Sequence, residues 1–193
     1  MKIIEMVLNE ENERQGVYAV SIVENPAIEE DWIALSKQKQ IVELKTVDTE
    51  KRLLMGAVLV PKKQILRYDK EIGEFYIYFT KETIRKTSEL FLKKNNQNNA
   101  TYEHEINLEG MHVVESWIVE NSKVDKSAIY GFDYPEGTWV ISMKVDNDKV
   151  WEKVKAGDVK GFSIEGYFTT SKSKLSKDEE LIGKIKSILN GKS

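Results

Sequence analysis

Hydrophobic and polar positions change period along this chain. Residues Lys2–Leu8 and Val17–Val23 are dense in β-branched and aromatic side chains and predict strands, with the polar stretch Asn9–Gly16 reading as a hairpin connection longer than the tight types. A short proline segment, Glu24–Ile28, and the apolar run Trp32–Leu35 follow, and then Gln40–Val47, Leu53–Val60 and Phe75–Phe79 predict further strands. Pro61 cannot donate to a ladder and is placed to end the second of these.

Beyond residue 80 the period becomes helical. Thr80 is a capping residue, Glu82 sits in the first turn, and Ile84, Thr87, Ser88 and Phe91 share one face, which predicts a helix over 81–94. The run Asn95-Asn96-Gln97-Asn98-Asn99 favours turns and predicts a flexible loop. Strands are expected again at Thr101–Glu105, Met111–Glu120, Thr138–Val145 and Val159–Thr169. Between the last two, Asn147 or Asp148 caps a short helix with Val150, Trp151 and Val154 on one face and Gly157 past its end.

The polar stretch Ser171–Lys174 reads as a linker, and Leu181, Ile182, Ile185, Ile188 and Leu189 stripe one side of a terminal amphipathic helix, Ser176–Leu189. The pattern thus predicts a mostly β (α+β) core over 1–170 and a helical tail over 171–193. That helix suits docking on a partner, on a neighbouring subunit, or back on the core.

Composition agrees with one folded unit: 193 residues, 40% hydrophobic and 32% charged, carry a formal net charge of only −3. Basic and acidic residues are mixed along the chain, so no basic stripe is available to track a phosphate backbone, and nucleic acid is not expected as a partner. No spanning apolar segment and no secretory leader are visible, so the expectation is a soluble intracellular protein without a membrane partner.

The chemistry is narrowed most by what is scarce. There is no cysteine, which removes thiol nucleophiles and thiolate metal sites, and there are two histidines, His104 and His112. In Gly161-Phe162-Ser163-Ile164-Glu165-Gly166, one serine stands between two glycines in an apolar strand. Ser163 is either a small packed residue or a nucleophile; G-x-S-x-x-G is not the nucleophile elbow of α/β hydrolases.

A serine needs a base, and the base works best when a third group fixes its tautomer. His104, in Glu103-His104-Glu105, is the natural base, or else an edge-strand histidine between solvated glutamates. Glu115, bracketed by Val113, Val114, Trp117 and Ile118, is a carboxylate in apolar surroundings that needs a partner, and is the acid expected to pair with His104. His112 competes for that role. Residues 112 and 115 have opposite strand parity, so only one can face His104 unless a bulge intervenes. No spacing of metal ligands is present, and neither a metal nor another cofactor is expected.

Taken in order, several segments resemble the XkdF-like prohead proteases of tailed phages, capsid-maturation serine proteases related in fold to herpesvirus assemblin. They are Val20–Ile28, Gly56–Pro61, Glu103–Glu105, Val113–Glu120, Gly137–Val140 and Lys155–Gly166, and the resemblance covers about Val17–Phe168. It implies an assemblin-like β-barrel core with a few peripheral helices. It also implies Ser163 as nucleophile and His104 as general base, with Glu115 third or, as in the assemblin relatives that use a second histidine, His112.

The implied reaction is endopeptidase cleavage of scaffold and capsid-protein propeptides, and of the enzyme itself, inside assembling proheads in the host cytoplasm. A homo-oligomer is compatible with that setting. The rival reading is a non-enzymatic capsid-assembly or portal-associated module that keeps a protease-like fold.

Overall fold

A computed structural model describes residues 2–8, 14–23, 45–48, 51–69 and 73–171, with the backbone alone at 45–48 and 69. Glu24–Ile28, Trp32–Leu35, the first part of Gln40–Val47 and the terminal helix Ser176–Leu189 lie outside the described residues. The strands are Lys2–Val7 (β1), Gly16–Val23 (β2), Lys45–Asp48 (β3), Leu53–Leu59 (β4), Ile65–Asp69 (β5), Gly73–Phe79 (β6), Ala100–Tyr102 (β7), Ile106–Leu108 (β8), Met111–Ile118 (β9), Trp139–Val145 (β10), Gly161–Tyr167 (β11) and Thr169–Thr170 (β12). The helices are Lys81–Lys93 (α1), Lys126–Ile129 (α2) and Asp148–Ala156 (α3).

The mostly β class holds, but the barrel expected from the resemblance is not formed among the described residues. The strands make three four-stranded sheets, ordered β12-β1-β6-β5, β3-β4-β10-β9 and β11-β2-β7-β8. The expected hairpin of the first two strands is also replaced. β1 pairs in parallel with β6, whereas β2 pairs antiparallel with β11 and in parallel with β7. A polar connection carries no information about whether the flanking strands pair with each other.

Sheet β3-β4-β10-β9 is covered on both faces, which is why β10 is buried at every position but Lys144. Toward the main core, Trp139, Ile141 and Met143 pack with Val20, Ile22, Phe79, Ile84, Phe91 and Phe162. Toward the other side, Val140 joins Met55, Ala57, Val119, Phe132 and Tyr134. The Phe91 and Trp139 rings meet edge to face at 5.4 Å, and full burial of a side chain such as Phe91 stabilises the fold by about 1.5–3 kcal/mol.

Helix α1 starts where the cap predicts, with Thr80 Oγ1 accepting from Thr83 N at 3.3 Å, and it buries Ile84, Thr87, Ser88 and Phe91. Helix α3 is capped by Asn147, whose side chain accepts from Val150 N at 3.1 Å, and it ends at Gly157 with φ 78°. The Asn-rich run departs from the expected flexible loop. Residues Asn96–Asn98 form a 3₁₀ turn in which Asn96 is buried, and its side chain donates to Val17 O at 3.0 Å. Asn99 likewise donates to Tyr18 O at 3.0 Å. The amide side chains bond the backbone of β2, satisfying groups that a sheet partner would otherwise take.

Candidate active site

Strand β11 carries Ser163 and, two residues on, Glu165, which places both side chains on one face of the sheet. The opposite face holds Phe162 and Ile164 against the main core. Across from Ser163 lies Ser21 of β2, and beyond Ser21 lies Thr101 of β7, so three hydroxyl residues form a row over three strands. All three are buried.

His104 is brought to this row by a turn and not by a strand. The predicted strand Thr101–Glu105 ends at Tyr102, and Glu105 N donates to Tyr102 O at 3.1 Å to close the turn into β8. Within it Glu103 has φ 50° and His104 φ 60°. Left-handed conformations of this kind cost an L-residue roughly 1–2 kcal/mol and persist only where neighbouring contacts enforce them. Those contacts come from β2: Glu103 N donates to Ile22 O at 3.2 Å, and His104 N donates to Ser21 Oγ at 3.1 Å.

The turn sets the imidazole against Glu165, with His104 Nδ1 3.4 Å from Glu165 Oε1. The same oxygen accepts a short hydrogen bond from Thr101 Oγ1, and Glu165 Oε2 accepts from the Tyr18 hydroxyl at 3.1 Å. Tyr18 reaches this face because β2 is bulged. Ala19 pairs with Glu165 and Val17 with Gly166, leaving Tyr18 as the extra residue. Partial burial, and then the hydrogen bond to Glu165, raise the Tyr18 phenol above its ordinary range.

The bulge also accounts for Gly166. A Cβ there would lie 2.7 Å from Gly16 O and 3.1 Å from Val17 Cα, so the close approach expected of a strand glycine is the approach of β2 itself.

The two proposed third members stand elsewhere. A bulge in β9 pairs Glu115 with Ser142 and Val113 with Met143, leaving Val114 unpaired. The parity conflict therefore vanishes: His112 and Glu115 share one face, the face turned away from Met111 and Val113 in the core. Neither bonds to His104. Glu115 accepts from Lys126 Nζ at 2.6 Å, which holds its carboxyl below the ordinary carboxylate range. His112 Nδ1 lies 2.8 Å from Asn98 Oδ1, and its Nε2 lies 3.9 Å from Asp146 Oδ2.

Thus Ser163, His104 and Glu165 are gathered on one sheet face, whereas Glu115 and His112 are on β9 in another sheet. Glu165 was discoverable from the sequence, because it sits two residues after Ser163 in a strand that is otherwise apolar or glycine. Ser21, Thr101 and Tyr18 carried no comparable signal; only the pairing of β11, β2 and β7 assembles them. Chemically, a carboxylate at Nδ1 fixes the tautomer that leaves Nε2 without a proton, the form in which imidazole accepts one from a hydroxyl. The Ser163 hydroxyl itself forms no hydrogen bond with a described residue.

No curated protein and no solved structure matches the chain. A family model described as "Putative phage serine protease XkdF" does match, over residues 40–172, a span that includes Ser163, His104, Glu165, Glu115 and His112 but begins after β1 and β2. With 133 of its 193 residues in that match, the chain belongs to this phage serine protease family.

Proposed function

We propose that the chain is a serine endopeptidase in which Ser163 is the nucleophile, His104 the general base and Glu165 the group that orients His104. The observation that carries this reading is the 3.4 Å approach of His104 Nδ1 to Glu165 on the same face of β11 as Ser163. His104 Nε2 takes the proton of Ser163 as its oxygen attacks a peptide carbonyl, and the imidazolium that forms is stabilised by Glu165. The protonated ring then delivers that proton to the leaving amine, and water hydrolyses the acyl-enzyme with His104 again as base.

This assignment replaces Glu115 and His112 as third member with a carboxylate that touches the base. The substrates we propose are scaffold and capsid-protein propeptides, with self-cleavage, in phage head maturation inside the host cell. Family membership supports a protease, and the resemblance described above supports the maturation setting.

Co-expression with the phage scaffold and capsid proteins tests the reading. Ser163→Ala and His104→Ala should each abolish processing, and a fluorophosphonate should label the unsubstituted protein at Ser163. Unimpaired processing in either variant would overturn the assignment and favour the non-enzymatic assembly module.

A further inference from the structure

Both ends of His104 lead back to one residue of β7. From the backbone, His104 N donates to Ser21 Oγ at 3.1 Å, and Ser21 Oγ donates in turn to Thr101 O at 3.5 Å. From the ring, His104 Nδ1 lies 3.4 Å from Glu165 Oε1, and that same oxygen accepts the short hydrogen bond of Thr101 Oγ1. The path from His104 through Ser21, Thr101 and Glu165 therefore returns to His104, and it draws one member each from β2, β7 and β11.

A sheet interior does not by itself call for these side chains. Ser21 is fully buried and Thr101 is 6% exposed, positions at which valine would pack without a hydroxyl to satisfy. Here each hydroxyl is satisfied, one by the amide of His104 and the other by the carboxylate that His104 faces. The turn needs such an anchor, because the positive φ angles of Glu103 and His104 persist only where contacts enforce them.

We propose that Ser21 and Thr101 are positioning residues that act on His104 as one unit. Ser21 fixes the place of its backbone, and Thr101 fixes the carboxylate oxygen that its ring meets. Loss of either hydroxyl opens the circuit, and the neutral imidazole then no longer keeps its proton on Nδ1, toward Glu165. The effect on turnover rests on the protease reading above; the effect on the tautomer does not. Hydroxyls that served the sheet alone would cost stability on removal and leave the imidazole as it was.

The test uses full-length Ser21→Ala, Thr101→Val, Thr101→Ser and the Ser21→Ala, Thr101→Val double variant, with urea unfolding to monitor the fold of each. Proton–nitrogen correlation spectra of the neutral imidazole read the tautomer, the His104 signals being those lost in His104→Ala. The unsubstituted chain should show the Nδ1–H form. Ser21→Ala and Thr101→Val should shift it toward Nε2–H, whereas Thr101→Ser, which keeps the hydroxyl, should not. In cleavage of a scaffold-derived peptide, each of the two damaging variants should lose roughly tenfold to a hundredfold in kcat with KM little changed. The double variant should lose no more than the worse single one, as expected of residues that work through one circuit.

An Nε2–H tautomer in the unsubstituted chain, an unchanged tautomer in Thr101→Val, an equal shift in Thr101→Ser, a rise in KM at constant kcat, or losses that multiply in the double variant would overturn the unit. Should Ser21→Ala fail to fold, the contrast between Val and Ser at position 101 decides alone. If the tautomer responds as stated while the unsubstituted chain neither cuts peptide nor takes a fluorophosphonate, the unit stands and the protease reading fails.

Discussion

His104 and Glu103 occupy backbone conformations that glycine or asparagine would adopt at lower cost, and the fold spends β2 contacts to hold them there. What the strain obtains is aim, since the turn carries the imidazole onto the carboxylate of Glu165. Glu165 is in turn held at both oxygens, by Thr101 and Tyr18, so its geometry does not depend on His104 alone. On the roles proposed above, Glu165→Gln should leave the fold intact and lower kcat by on the order of 10²–10⁴, the penalty of losing a carboxylate that selects the tautomer of the base. Glu115→Gln should change kcat less than about twofold, because its partner is Lys126 on the surface. Its effect belongs to stability. Lys126 depresses the Glu115 pKa in the folded chain, so the pair contributes above the unfolded value of ~4.3 and is lost as pH falls through the lowered one. An exposed pair of this kind is worth less than about 1 kcal/mol, and the Tm difference between Glu115→Gln and the unsubstituted chain should close on acidification. Peptide-cleavage kinetics of the two Gln variants, measured side by side, separate the two carboxylates.

At the scale of elements, local signals and pairing signals part company. Helix α1 was legible because its cap and apolar stripe are properties of 14 consecutive residues, Thr80 to Lys93, and α3 because Asn147 and Gly157 bracket it. Strands β5 and β8 gave no comparable pattern, and each exists as the second arm of a pairing, β5 on β6 and β8 on β7. The bulges at Tyr18 and Val114 were not legible either, and they are what decide the site: one turns Tyr18 toward Glu165, the other puts His112 and Glu115 on a common face. Ser163 and His104 could be singled out from scarcity of alternatives and from resemblance, whereas the group beside His104 required the register of β11 on β2. Gly166 tests that register directly. Ala there must push a Cβ against the Gly16 carbonyl, so Gly166→Ala should destabilise the chain by about 1–3 kcal/mol, read by urea unfolding, with the loss of the Tyr18–Glu165 contact visible in the Tyr18 titration.

For the whole molecule, the decisive fact is that the site is built from both ends of the described chain. Strand β2, residues 16–23, lies between β11 and β7, and it supplies Ser21 to the His104 turn and Tyr18 to Glu165. Yet β2 lies outside the span 40–172 over which the family match runs. A chain cut to residues 40–172 keeps Ser163, His104 and Glu165 but loses the strand that joins their elements. Removal of β2 would expose Phe162 and Ala100 of the core and unpair the inner backbone edges of both β11 and β7, each a larger loss than any single contact in the site. The truncated chain should show no cooperative thermal transition and no fluorophosphonate labelling, while residues 1–172 should retain both. Pairings between positions some 80 and 140 residues apart close large loops, so refolding of the intact chain should be slow, on the millisecond-to-second scale. A separately added peptide of residues 14–23, which carries β2 without β1, that restored labelling to the 40–172 chain would locate the missing function in β2 itself, because among the described strands β2 alone lies between the strand of Ser163 and the strand that leads into the His104 turn.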